Sequence, residues 1–210
     1  MCPRCLKRTP LCICAEIQPL STKTQVLILQ HPQELDQDLG TARLTHLTLS
    51  NSVLKTGLSW PNLHAAAGAR AVPSDWAVLH VPGPKNQIAN PLPPQKSHQD
   101  QLIVLDRRGN PISPPPEVKG IIVLDGSWSQ AKALWWRNPW LLKLKRLVII
   151  PSTPSLYGRR RKEPRRECLS TLEAISTALM ILEGASKPKD QLLILFSELL
   201  KRYDRIGKIN

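Results

Sequence analysis

The stretch Ile121-Ile122-Val123-Leu124-Asp125-Gly126-Ser127-Trp128 joins an uninterrupted apolar run to an acid and then to a turn. A short apolar run rich in β-branched side chains and closed by a turn reads as a buried strand. A helix-compatible segment follows directly, so Asp125 falls at the carboxyl end of that strand. In open α/β sheets ligands collect in the crevice outside the strand ends, which makes an acid placed there a candidate for chemistry. Gly126 lets another part of the chain approach, and the Ser127 hydroxyl can cap the next helix. Asp-Gly-Ser is also ordinary turn chemistry, so a capping turn and a catalytic acid both stay open at this point.

Similar runs recur on both sides of this one. Residues 26–30, 76–81, 102–105, 121–124 and 147–150 read as strands, and helical patterns fall at 129–137, 170–183 and 190–205, with a shorter one within 41–51. Strands alternating with helices predict an α/β fold built on a mostly parallel sheet. Gly184 is placed to end the helix over 170–183. The chain carries 20 prolines, clustered in 82–94 and 111–116, where no strand ladder can continue, so both stretches read as loops.

With 210 residues, 41% of them hydrophobic, the chain can build one substantial domain and a small appendage. We divide it into a cysteine-rich segment over 1–20 and a catalytic domain over 21–210. A formal net charge of +13 predicts a polyanionic partner, either nucleic acid or an acidic membrane surface. No apolar run approaches the roughly 18 residues that span a bilayer, and the amino terminus does not resemble a secretory signal. The expectation is a soluble, cytoplasmic protein.

Four of the five cysteines, Cys2, Cys5, Cys12 and Cys14, fall within the first 14 residues. Closely spaced cysteine pairs suit a tetrahedral structural zinc, which would stabilise a segment too short for its own core. Disulfides are disfavoured in an intracellular chain, and Lys7 and Arg8 would offset thiolate charge. The Cys12-Ile13-Cys14 pair is tighter than the usual Cys-x-x-Cys knuckle, so the full ligand set is not fixed by spacing. Cys168, beside Arg166 and Glu167, reads as a thiol outside that set.

Basic charge is densest over Tyr157-Gly-Arg-Arg-Arg-Lys-Glu-Pro-Arg-Arg166, the expected phosphate-backbone footprint. Trp128, Trp135, Trp136 and Trp140 follow Asp125 at partly helical spacing and read mainly as core or interface, with one able to offer a stacking face. After the basic stretch, Ser170 and Glu173 form a capping-box pattern ahead of an apolar face that includes Leu172, Ile175, Leu179 and Leu182. The start of such a helix also suits a ligand's carboxylate.

Taken together, Asp125-Gly-Ser-Trp128, Tyr157 with Arg159 and Arg160, Leu169-Ser-Thr-Leu-Glu-Ala174, Gln30-His-Pro-Gln-Glu34, Thr41-Ala-Arg43 and the paired cysteines strongly resemble the DTW-domain family of tRNA-uridine aminocarboxypropyltransferases. The resemblance covers nearly the whole chain. It departs at the name-giving motif, where Ser127 stands in place of the usual threonine and keeps the hydroxyl. The stretch between Asp106 and Pro116 carries no motif of that family.

The resemblance implies transfer of the 3-amino-3-carboxypropyl group of S-adenosylmethionine to N3 of a tRNA uridine, with release of 5'-methylthioadenosine. It implies a SPOUT-like fold with a C-terminal trefoil knot, using the loops after Val81, Leu124 and Ile150. Asp125 is then the catalytic candidate, either taking the imide proton or orienting the donor's amine or the uridine. Leu124, Gly126, Ser127, Trp128, Ser170, Thr171 and Glu173 become candidates for the S-adenosylmethionine pocket, with amides near Ser170 or Thr171 receiving its carboxylate. His31, Glu34, Tyr157, Arg159, Arg160 and Arg161 become candidates for the tRNA side, which Arg4, Lys7 and Arg8 of the zinc segment would extend. The implied partner is tRNA, not DNA and not a membrane. Two other readings share parts of this pattern: a SPOUT-like RNA methyltransferase, and a non-catalytic zinc-dependent RNA-binding protein.

Overall fold

The apolar runs assemble into one six-stranded sheet in a computed structural model that describes residues 1–80, 99–113, 115–160 and 169–207. Its strands are β1 (Gln25–Gln30), β2 (Ser52–Thr56), β3 (Trp76–His80), β4 (Gln101–Leu105), β5 (Gly120–Asp125) and β6 (Lys145–Ile150), in the order β2-β1-β5-β3-β6-β4. All neighbours run parallel except β4, which closes one edge antiparallel to β6. The expected α/β class and mostly parallel sheet are therefore present.

Strand β2 was not anticipated. Its side chains are half-buried or exposed, because an edge strand is held by main-chain pairing with β1 and needs no apolar run of its own. The helices are α1 (Ala42–Thr48), α2 (Leu63–Ala67), α3 (Trp128–Arg137), α4 (Thr171–Glu183) and α5 (Lys187–Gly207). The short α2 also escaped the sequence reading; Asn62 caps it by accepting from the Ala65 amide at 2.9 Å. Gly184 ends α4 at φ 64°, the left-handed conformation expected of it.

Alternate residues of β1 serve opposite faces, which explains its unbroken hydrophobicity. Val26 and Ile28 enter a cluster with Leu44 of α1, Ile175 and Leu179 of α4, and Phe196 of α5. Leu27 and Leu29 enter a second cluster with Leu63 of α2, Trp76 and Leu141. At the other side of the sheet centre Gly120 is required: a Cβ there would lie 2.3 Å from the Trp76 ring on the neighbouring strand.

The cysteine segment has no separate core. Leu11, Ile13 and Ile17 bury in the cluster that holds α4 and α5. Arg202 of α5 donates to the Cys12 carbonyl, and Gln191 Nε2 donates to the Gln18 carbonyl at 2.7 Å. Burial of those three side chains in the main core thus adds stability to a segment that has no core of its own.

The sheet contains a switch point. From β1 the chain passes to α1, which packs with α4 on one face; from adjacent β5 it passes to α3, whose Trp135 joins the opposite cluster. Two neighbouring parallel strands whose connections diverge in this way leave a crevice at their carboxyl ends. Asp125 and Gln30 are register partners there. The loop expected after Val81 and the second half of the basic stretch, including Arg161 and Cys168, lie outside the described residues. Among the described residues no helix is long and apolar enough to cross a membrane.

Candidate active site

Asp125 is 6% exposed, and both of its oxygens are engaged. Oδ2 accepts from Gln30 Nε2 at 3.0 Å and Oδ1 accepts from Thr171 Oγ1 at 2.5 Å. Thr56 Oγ1 donates in turn to Gln30 Oε1 at 3.4 Å, so the network crosses the ends of β2, β1 and β5 and reaches the start of α4. Each carboxylate oxygen keeps a further lone pair, so the acid is fixed in orientation yet can accept once more. A turn with capping duty alone would not need this buried side-chain network.

Around it the expected pocket residues gather at one end of the sheet. Gly126 permits a tight turn, since a Cβ there would lie 2.8 Å from Gln130 Cβ. Gln130 Oε1 accepts from the Ser127 amide at 2.6 Å, and its Nε2 donates to Gln33 Oε1 at 3.1 Å, tying α3 to the loop after β1. Leu124 is half-buried, whereas Trp128 is 40% exposed. Ser170 and Glu173 make the anticipated capping box: the Glu173 amide donates to Ser170 Oγ at 3.1 Å and the Ser170 amide to Glu173 Oε2 at 2.8 Å. Glu173 also accepts from Ser155 Oγ and from the Leu156 amide, both at 2.7 Å, so its buried carboxylate fastens the basic loop to α4. The Leu172 amide donates to Thr41 Oγ1 at 3.2 Å. With Leu172 and Glu173 committed inside the protein, the Thr171 amide is the first-turn position left for a ligand's carboxylate.

Several residues expected on the substrate side have structural duties. His31 Nδ1 accepts from the Gln33 amide at 3.3 Å and so caps a 3-10 turn over Pro32–Glu34, in which Glu34 is buried. Tyr157 is 2% exposed; its hydroxyl donates to the Leu39 carbonyl at 2.7 Å, and its ring meets Phe196 edge-on at 5.0 Å. A side chain so enclosed supports the loop rather than facing solvent. Arg160 forms a two-point ion pair with Asp204 of α5, at 2.7 and 2.6 Å, while Arg159 is exposed.

The four cysteines come together as expected. Their Sγ atoms lie within 4.8 Å of one another, with Cys2 and Cys14 at 3.8 Å, and all four are free thiols. Metal–sulfur bonds near 2.3 Å imply tetrahedron edges of about 3.8 Å, so the cluster can hold a metal ion. A turn with Leu6 at φ 57° brings the first pair together, closed by the Cys2 amide donating to the Lys7 carbonyl at 2.8 Å. Backbone hydrogen bonds from Cys5 and Arg4 pull the Cys2 thiol down to about 6, whereas burial pushes Cys5 and Cys14 up. A bound cation favours the thiolate at all four positions.

Lys7 does not extend an RNA surface. It is 4% exposed, and its ammonium donates to the carbonyls of Gln37, Asp38 and Gly40 at 3.2, 2.8 and 2.7 Å. Burial lowers its pKa to about 8. Segment 37–41 is therefore held from three sides: by Lys7 of the cysteine segment, by Tyr157 of the basic loop and by the start of α4. Gln30 and Thr41 are the residues whose importance the sequence reading missed, and Lys7 was given an outward role in place of its buried one. Gln30 and Thr41 lay inside the quoted motifs, but nothing in those motifs says that their side chains point inward.

The DTW domain matches residues 1–204. The chain belongs to the DTW domain family. Among curated relatives of this DTW chain, mouse tRNA-uridine aminocarboxypropyltransferase 2 is 28% identical over 196 residues, covering 91% of the chain and 59% of the relative. The Drosophila melanogaster protein of the same name is 26% identical over 91% of the chain and 70% of the relative. Arabidopsis thaliana tRNA-uridine aminocarboxypropyltransferase A is 26% identical over 92% of the chain and 76% of the relative. The DTW chain thus spans 59% of the length of the mouse relative. No solved structure matches it.

Proposed function

We propose that this chain transfers the 3-amino-3-carboxypropyl group of S-adenosylmethionine to N3 of a tRNA uridine, releasing 5'-methylthioadenosine. One observation carries the reading: a buried carboxylate, Asp125, is anchored by Gln30 and Thr171 at the switch point of a DTW-family sheet. The names of the relatives supply the reaction class, and the net charge of +13 suits a polyanionic substrate.

The donor's chemistry fits the residues present. Its sulfonium supplies a good leaving group, so the protein's work is placement and proton handling. A cationic amine finds a carboxylate in Asp125, and a carboxylate finds the Thr171 amide at the start of α4. Leu124, Gly126, Ser127 and Trp128 form the wall on the β5 side, with Ser170 and Glu173 fixing the opposite one. Uridine N3 must lose a proton; Asp125 either accepts it on a free lone pair or orients the reacting groups. Arg159 and Arg161 serve the tRNA backbone, and Arg160 joins them by exchanging Asp204 for a phosphate, an exposed pair worth about 0–1 kcal/mol. Zinc fits the four thiolates as a structural ion. The run of parallel neighbours β5, β3 and β6 supports a SPOUT-like fold.

The test is to incubate the purified protein with S-adenosylmethionine and tRNA, then to identify nucleosides and small products by mass spectrometry. An acid-bearing uridine together with methylthioadenosine is expected. S-adenosylhomocysteine with a methylated nucleoside would establish the methyltransferase reading instead, and tRNA binding with neither product would leave a non-catalytic RNA-binding protein.

A further inference from the structure

The end of the sheet opposite Asp125 carries a concavity of about 500 Å³ whose wall includes Arg107, Arg108, Lys143 and Lys145. Three segments meet there. The turn after antiparallel β4 brings the arginines, the approach to β6 brings the lysines, and Pro73 and Ser74 ahead of β3 close the side. One acid, Asp106, lies among them, but its carboxylate faces its own turn. Oδ1 accepts from the Arg108 and Asn110 amides, both at 2.8 Å, and Oδ2 from Asn110 Nδ2 at 3.2 Å. That turn is therefore rigid, and its acid is used in shaping it.

Three of the four cations have no carboxylate partner among the described residues, while Lys145 feels the charge of Asp75, which pairs with Lys119 at 3.2 Å. Among the described residues no carboxylate pairs with Arg107, Arg108 or Lys143, and Lys145 Nζ donates to the Ser74 carbonyl at 2.5 Å. Several other cations are paired: Arg8 with Asp38, Arg160 with Asp204, Arg202 with Glu16, and Lys189 with Asp100. Like charges that outnumber the acids around a hollow repel one another, and a phosphate chain relieves that repulsion.

We propose that this amino-end concavity is a second contact for the tRNA sugar-phosphate backbone, separate from the basic loop near Asp125. The inference rests on tRNA being the substrate. Strand β5 spans six residues, so the two ends of the sheet are roughly 20 Å apart, a distance that one folded RNA bridges and a mononucleotide does not. The Asp106–Pro116 stretch, which carried no family motif, thereby acquires a role: it supplies two of the four cations. Contacts of this kind set affinity and register and leave the chemical step alone.

The experiment compares tRNA affinity over a salt series for the full-length protein, the double variant Arg107→Glu/Arg108→Glu and a charge-matched control, Lys23→Glu/Lys187→Glu. The control residues are exposed near the start of β1 and of α5 and do not line the concavity. Loss of two phosphate contacts should weaken tRNA binding roughly ten-fold or more at 0.1 M salt and reduce the log–log salt slope by about 2. The KM for tRNA should rise with kcat within about two-fold, and S-adenosylmethionine affinity should be unchanged. Equal losses in the concavity variant and the control, or no loss in either, would overturn the inference while leaving the substrate reading intact. A wild-type protein that retains no tRNA overturns the substrate reading, and this inference with it.

Discussion

The two ends of the sheet carry concavities of similar size and opposite wiring. At the carboxyl end, a hollow of about 580 Å³ is lined by Arg8, Asp36, Asp38 and Arg160, and both of its arginines are ion-paired. At the amino end, a hollow of about 500 Å³ gathers four cations around an acid that its own turn consumes. On the proposed function the carboxyl end is the one that holds reacting groups still, and there Asp125, Glu173 and Lys7, none of which lines that hollow, each have several partners. On the same reading the amino end has no bond to make, so an excess of loosely held positive charge there costs little and favours a polyanion. Pairing serves placement, and unpaired charge serves affinity.

The largest effect should come from breaking the wired end at its centre. Asp125→Asn and Asp125→Ala are expected to lower the single-turnover rate by on the order of 10²–10⁴-fold while tRNA affinity changes less than about three-fold. Single-turnover kinetics beside filter binding check this, and a fully active Asp125→Ala would remove Asp125 from the mechanism. Next comes the cysteine cluster. Stripping metal with a chelator, or Cys5→Ser, should cost about 3 kcal/mol and lower Tm by roughly 6–12 °C, read by calorimetry alongside elemental analysis. Because Lys7 links this segment to residues 37–41, amide exchange there should accelerate on chelation; unchanged exchange would disconnect the cysteine segment from residues 37–41.

Smaller effects refine the contrast. Thr171→Val removes the hydroxyl that holds Asp125 Oδ1 and should reduce kcat about ten-fold, or 1.4 kcal/mol, with Tm nearly preserved. Thr171→Ser should restore most of the rate, since it restores the donor. The weakest effect lies on α1, away from the reacting end. His46 shares a 2.8 Å hydrogen bond with Ser52, and burial, then the Arg43 charge, lowers its pKa. A histidine depressed on folding takes up its proton more readily when unfolded. Its contribution is therefore intact above about pH 6.5 and is lost as pH falls through the folded value. His46→Gln should flatten the decline of Tm over that acid range by a degree or two.

Much of this architecture was legible in the chain. The five apolar runs became strands within one or two residues, because burial on both faces demands continuous hydrophobicity. The capping box at Ser170 and Glu173 and the terminator Gly184 follow from local backbone chemistry. The edge strand β2 was hidden, since main-chain pairing leaves little trace in side-chain type. Tyr157 and Lys7 looked like exposed recognition residues because their charge and ring chemistry suit RNA; their burial depends on partners 118 and about 30 residues away.

The sequence by itself determined the α/β class, the place of Asp125 at a strand end, the cysteine cluster and the excess of positive charge. These depend on residue type and on neighbours within a few positions. Only the tertiary structure decided that Gln30 and Thr171 hold Asp125, that Lys7 faces inward, and that Arg107 and Arg108 join Lys143 and Lys145 around one hollow. Each of these is a contact between segments far apart in the chain, set by strand order and by which face each crossover takes. Local pattern encodes neither.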